Sequence, residues 1–254
     1  MTNWLNANRI ALNVTKTEVI LFKSSRKAIN YTLKIKLCGK RLYLKKQVKY
    51  LGIILDEHLS WKSYLNSLAT KLRKANGIIS RLRHCVPQKT MITIYNALFH
   101  SHIIYAIQIW GQNLNPTARV IKLQKTAVRL ITFSEFNAHS KPLFKLLKIQ
   151  SIIDTTFILN IKLVHQTLNY YSPTSIQKTL NLTYLLDTYL TRAKSYNILK
   201  RHKVKTTSFG INSIRYQSTL HWNTLQVYFK EINLLSQSFS KIKAYTIKYL
   251  STKC

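Results

Sequence analysis

From Trp61 to Leu82 the apolar side chains Trp61, Leu65, Leu68, Leu72, Ala75, Ile79 and Leu82 recur at alternating spacings of four and three. That period predicts one long amphipathic helix with a continuous apolar stripe. A stripe of this length has to be covered, so the chain must fold around it. Ser60 stands where a cap is wanted, and Pro87 prevents continuation past the end. Lys62, Arg73, Lys74 and Arg81 fall on the opposite face. A second helical period runs from about 90 to 110 through Met91, Tyr95, Leu98, His102, Tyr105 and Ile109. A third helix is expected to start at Asn115-Pro116, a cap followed by proline in the first turn. It would bury Val120, Leu123, Ala127, Leu130 and Ile131 and turn Lys122, Lys125 and Arg129 outward. Further helices are expected near 153–170 and 236–249.

The first sixty residues follow a different period. Val19-Ile20-Leu21-Phe22 is the kind of run that fills a buried strand. Tyr31, Leu33, Ile35 and Leu37 alternate with Thr32, Lys34 and Lys36, the pattern of a half-buried strand. Cys38-Gly39-Lys40 turns the chain, Leu42 and Leu44 begin a return strand, and Tyr50 to Leu55 make a third run ended by Asp56-Glu57-His58. Tyr50, Leu51, Ile53 and Ile54 read as core. The fold class expected is α+β.

Charge decides the function classes. Against 40 Lys and Arg stand only 7 Asp and Glu, a formal charge of +33 over 254 residues. With 46% hydrophobic residues the chain is too apolar for a disordered basic tail, so the excess must sit on a folded surface. Such a surface repels itself until it meets a polyanion, and nucleic acid is the expected partner. The acids Glu18, Asp56, Glu57, Glu135, Asp154, Asp187 and Glu231 are scattered, which argues against a two-metal centre or a paired-carboxylate hydrolase. No metal site is expected: His84-Cys85, His100-Ser101-His102 and His139 lack a zinc spacing. Cys38, Cys85 and Cys254 imply no disulfide framework, and no run reaches the roughly 18 apolar residues of a membrane span. An intracellular protein, cytoplasmic or nuclear and without a membrane partner, is the expectation. Tyr95, Tyr105, Trp110 and Trp222 are candidates for stacking on bases, with core packing the alternative for Tyr95, Tyr105 and Trp61.

The order of motifs resembles the reverse transcriptases of jockey-like non-LTR retrotransposons. Trp4 to Asn8, then Leu12-Asn13-Val14-Thr15-Lys16-Thr17, is similar to the segment just downstream of their catalytic aspartates. Val48 to Asp56, followed by His58-Leu59-Ser60-Trp61, resembles the primer-grip hairpin and its run into the thumb. Tyr105, Trp110-Gly111, Leu123-Gln124-Lys125, Ala127-Val128-Arg129 and His139 to Phe144 follow in the same order. Thr191-Arg192, Trp222 to Leu225, Phe239 and Lys243 resemble the C-terminal segment.

The resemblance implies a palm-edge and primer-grip remnant over 1–60, a helical thumb over 61–135 and a mixed, mainly helical basic module over 136–254. It implies primer-grip roles for Lys49, Tyr50, Leu51 and Gly52, and a triphosphate-proximal place for Lys16. The nucleic-acid backbone would be tracked by Lys71, Arg73, Lys74, Lys122, Lys125 and Arg129, and by a second patch of Lys200, Arg201, Lys203 and Lys205. The family's Mg²⁺-binding aspartates lie upstream of the Leu-Asn-x-x-Lys-Thr segment, and this sequence contains no Asp-Asp pair. The expectation is therefore a truncated RNA-directed DNA polymerase fragment with no catalytic residue, cofactor or activity of its own. Its partners would be RNA, DNA or their hybrid, together with the palm and endonuclease portions of a parent polyprotein. Two alternatives stand beside it: a stand-alone basic nucleic-acid-binding protein, and a relic of a decayed element whose strands expose their edges.

Overall fold

The computed structural model describes residues 2–11, 13–25, 34–37, 39–182, 198–230 and 232–252. The chain divides into two units, Met1–Ser67 and Leu68–Cys254. It is α+β, with small sheets in the first unit and helices dominating the second.

In the first unit, α1 (Thr2–Ala7) precedes three two-stranded ladders among the described residues. β1 (Val19–Ile20) pairs in parallel with β4 (Leu44–Lys45), and β2 (Ile35–Leu37) pairs antiparallel with β3 (Lys40–Leu42). Gly39, at φ +76°, makes the turn between β2 and β3, as its sequence position predicts. Tyr31 to Leu33, the start of the alternating run, lie outside the described residues.

The apolar run Tyr50 to Leu55 is not one strand. It folds back on itself as β5 (Gln47–Tyr50) and β6 (Ile53–Asp56), with Tyr50 opposite Ile53 and Gln47 opposite Asp56. Leu51 (φ 47°) and Gly52 (φ 82°) form the two-residue loop. Positive φ at both positions is the turn whose twist matches a hairpin. The consequence corrects the sequence reading: Tyr50 and Leu51 are 63% and 72% exposed, because the loop carries them away from any core.

α2 (Lys62–Leu82) forms where the stripe predicts and buries Leu65, Leu68, Leu72, Ala75 and Ile79. In the second unit the expected continuous helix from 90 to 110 breaks twice. α3 (Gln88–Tyr95) runs into a π turn over Asn96–His100, closed by the Ser101 N–H donating to the Asn96 carbonyl. α4 (Ser101–Ile104) follows, and Ala106 at φ 52° separates it from α5 (Ile107–Trp110). A π turn inserts one residue into the helical register. Tyr95 is therefore followed into the core by Phe99, Ile103, Ile107 and Trp110, while Leu98, His102, Tyr105 and Ile109 are exposed.

α6 (Leu114–Ile131) starts earlier than Asn115, because the Asn113 side chain accepts from the Asn115 N–H. It buries Val120, Gln124, Ala127, Val128 and Ile131, leaving Leu123 and Leu130 half-buried. α7 (Ser140–Leu146), α8 (Ile152–Leu168) and α9 (Thr174–Leu180) come next, then α10 (Ile214–Tyr228) and α11 (Phe239–Thr252). A core of Phe157, Ile161 and Val164 from α8, Trp222 and Leu225 from α10, and Ile242 and Tyr249 from α11 also takes in Leu199 and Leu234. Trp110 and Trp222 are fully buried, which removes both from the list of base-stacking candidates.

Candidate nucleic-acid interface

Acids are few, and most of those described are occupied. Asp56 is buried, and its Oδ1 accepts from the N–H groups of His58 (3.1 Å) and Ser60 (3.0 Å). Its Oδ2 accepts from the Ser60 hydroxyl (3.1 Å) and the Trp61 N–H (3.0 Å). This carboxylate fixes the turn in which Leu59 and Trp61 take positive φ just before α2. Glu57 pairs with Lys23 at 3.2 Å and stands 3.6 Å from His58, and Glu18 pairs with Lys45. Asp154 accepts from the Ser151 hydroxyl at the start of α8. Among the described residues no three His, Cys, Asp or Glu side chains gather as metal ligands.

Most of the cations that the sequence singles out on α2 and α6 are left to solvent. On α2, Lys71, Arg73 and Lys74 are exposed, with Lys71, Lys74 and Arg81 at i, i+3 and i+10 along one outward stripe. On α6, Lys122 and Lys125 are exposed. No described carboxylate pairs with these five lysines and arginines of α2 and α6 that the sequence singles out. The Asn76 amide of α2 donates to the Leu123 carbonyl of α6 at 3.0 Å. That bond joins the two helices on their buried sides, away from the exposed lysines. Arg129 differs from the others: it is half-buried, and its Nε donates to the Ala138 carbonyl at 2.8 Å, holding the loop after α6.

The second patch is built by alternation. Leu199 is buried while Lys200, Arg201, Lys203 and Lys205 are exposed. Asn223 of α10 pins this segment, accepting from the Leu199 N–H (2.9 Å) and donating to the Leu199 carbonyl (2.8 Å). His202 is held below the usual histidine range by desolvation, with the charges of Arg215 and Lys200 adding to it.

The hairpin residues Lys49, Tyr50, Leu51 and Gly52 all stand exposed at the end of the β5–β6 ladder. Lys16 is exposed at the end of a short 3₁₀ turn (Val14–Lys16) shaped by the Asn13 side chain. Sequence reasoning missed Gln124, which is 1% exposed. Its Nε2 donates to the Tyr95 hydroxyl (2.9 Å) and the Gln150 carbonyl (3.0 Å), and its Oε1 accepts from the Ile152 N–H (2.9 Å). It ties α3, α6 and α8 together. Burial pushes the Tyr95 hydroxyl up to about 12, against the lowering effect of the Gln124 bond.

No protein-family model matches the chain, and no solved structure matches it. Two curated proteins are similar to part of it. A probable RNA-directed DNA polymerase from transposon X-element of Drosophila melanogaster is 29% identical over 111 residues, which is 42% of this chain and 12% of that protein. A retrovirus-related Pol polyprotein from a type-1 retrotransposable element of Nasonia vitripennis is 29% identical over 103 residues, 39% of this chain and 26% of that protein. The chain thus carries a segment related to the RNA-directed DNA polymerases of retrotransposable elements, and the match spans about a quarter or less of either relative.

Proposed function

We propose that the chain is the template–primer-binding portion of an RNA-directed DNA polymerase from a jockey-like non-LTR element. In this reading α2 and α6 form the thumb, and the β5–β6 hairpin is the primer grip. The partner is RNA, DNA or their hybrid, held through phosphates with little sequence preference. The observation that carries the reading is the pair of exposed cationic faces, without carboxylate partners among the described residues, on α2 and α6, helices joined at Asn76–Leu123. The likeness of part of the chain to retrotransposon polymerases supports nucleic acid as the polyanion those faces would meet. Phosphoryl transfer requires carboxylates that hold metal ions over the reacting oxygens. With Asp56 and Glu57 committed to the approach to α2 and to Lys23, we assign this chain binding and no polymerisation of its own.

The test is a titration of an RNA–DNA hybrid at several salt concentrations. Log affinity should fall linearly with log salt, and each phosphate contact removed should reduce the slope by roughly 0.9. Reversing Arg73, Lys74, Lys122 and Lys125 to glutamate should flatten the slope by about three to four units if all four touch phosphate. Reversal of four other exposed lysines giving the same flattening would sink the assignment and leave only general stickiness.

A further inference from the structure

The ends of α2 and α6 meet in a cluster that phosphate tracking does not use. Phe133, just past α6, is 55% exposed and has φ 54°. A bulky side chain is rarely found in that left-handed region, which glycine or asparagine normally fills at the end of a helix. The conformation is held by its neighbours: the Ser134 N–H donates to the Arg129 carbonyl (3.1 Å), and the Thr132 N–H to the Val128 carbonyl (3.1 Å). The Arg83 guanidinium, just past α2, lies over the Phe133 ring at 5.2 Å from its centre. The His84 ring meets Phe133 edge-on at 5.3 Å, and Arg83 Nε donates to His84 Nε2 at 2.9 Å. Phe136 in the same loop is 86% exposed.

We propose that Phe133, backed by Arg83 and His84, is a stacking platform for an unpaired base of single-stranded RNA or DNA. An aromatic ring already braced on one side by a guanidinium offers its remaining surface to a second flat π system, and every base has one. Charge selects the occupant. Arg81 at the end of α2 and Arg83 just past it outnumber Glu135, the one carboxylate of this loop, so a strand carrying phosphates is favoured over an apolar partner. The proposal rests on the nucleic-acid reading above and adds a place where a single strand is gripped by its bases.

The experiment uses the full chain with a short oligouridylate, the same oligomer carrying a fluorescent adenine analogue that dims on stacking, and a blunt RNA–DNA hybrid. Phe133→Asn should weaken single-strand binding about tenfold and abolish the dimming. It should leave hybrid affinity within about twofold and keep or raise Tm, because asparagine accepts the left-handed backbone. Phe133→Tyr, which keeps the ring, should retain single-strand binding. The proposal is overturned if Phe133→Asn leaves single-strand binding and dimming unchanged, or weakens single strand and hybrid equally. It is also overturned if Phe133→Asn lowers Tm and Phe133→Tyr loses binding with its fold intact. Absence of salt-dependent hybrid binding by the unaltered protein would instead refute the reading on which the proposal rests.

Discussion

Asp56 accepts four hydrogen bonds within the few residues before α2, and each donor it satisfies belongs to a turn containing two residues at positive φ. The sequence suggests Ser60 as the cap, yet Ser60 takes only a long 3.5 Å bond from the Lys62 N–H. Asp56→Ala should therefore destabilise the protein by about 3 kcal/mol, since it strands backbone donors in a buried turn. Ser60→Ala should cost about 1 kcal/mol. Equal shifts of the two denaturation midpoints would contradict this division of labour. Gly111 makes a second residue-level case. A Cβ there would lie 2.6 Å from the Ile107 carbonyl and 2.9 Å from Thr156 Oγ1, where α5 meets α8. Gly111→Ala should lower stability by roughly 1–3 kcal/mol, read as a drop in Tm. The Trp-Gly pair, singled out by resemblance, thus has a packing reason of its own.

At the scale of elements, the β5–β6 hairpin offers a test that separates stability from the proposed recognition. Its loop needs positive φ twice, and asparagine followed by glycine satisfies that better than leucine followed by glycine. Leu51→Asn is expected to raise stability by about 0.5–1 kcal/mol. If Leu51 also touches the primer strand, the same variant should weaken hybrid binding, so stability and affinity would move in opposite directions. An unaltered affinity would confine Leu51 to a structural role. The π turn between α3 and α4 is the other element whose geometry matters. Together with the break at Ala106 it places Phe99, Ile103, Ile107 and Trp110 inward, where the helical period read from the sequence had put Leu98, His102, Tyr105 and Ile109.

Across the whole molecule, three histidines shielded from solvent contribute to the response to acid. His100 and His165 are held below the usual range by desolvation, and bonds to Gln237 and Leu235 partly offset this at His165. His202 is lowered in the same way, with Arg215 and Lys200 contributing. In each case the unfolded chain binds the proton more readily than the folded one. Stability is then fully present above the unfolded histidine value of about 6.5 and declines as pH falls through it. Tm should drop between about pH 7 and pH 5, and His165→Gln should shrink that drop. A Tm flat across this range would refute it. How much was legible in advance follows from the range of the interactions. The stripe of α2, the cations turned away from it and the turn at Gly39 obey local periods and local backbone preferences, so residue order alone determined them. So did the acid shortage that leaves a positive surface seeking a polyanion. The register change after Tyr95, the exposure of Tyr50 and Leu51, and the burial of Trp110 and Trp222 depend on which surfaces meet in space. The cluster at Phe133 joins residues fifty positions apart, and Gln124 bonds elements on either side of it in the chain. Only the tertiary structure decided these, because packing and long-range hydrogen bonds override the periodicity from which the sequence is read.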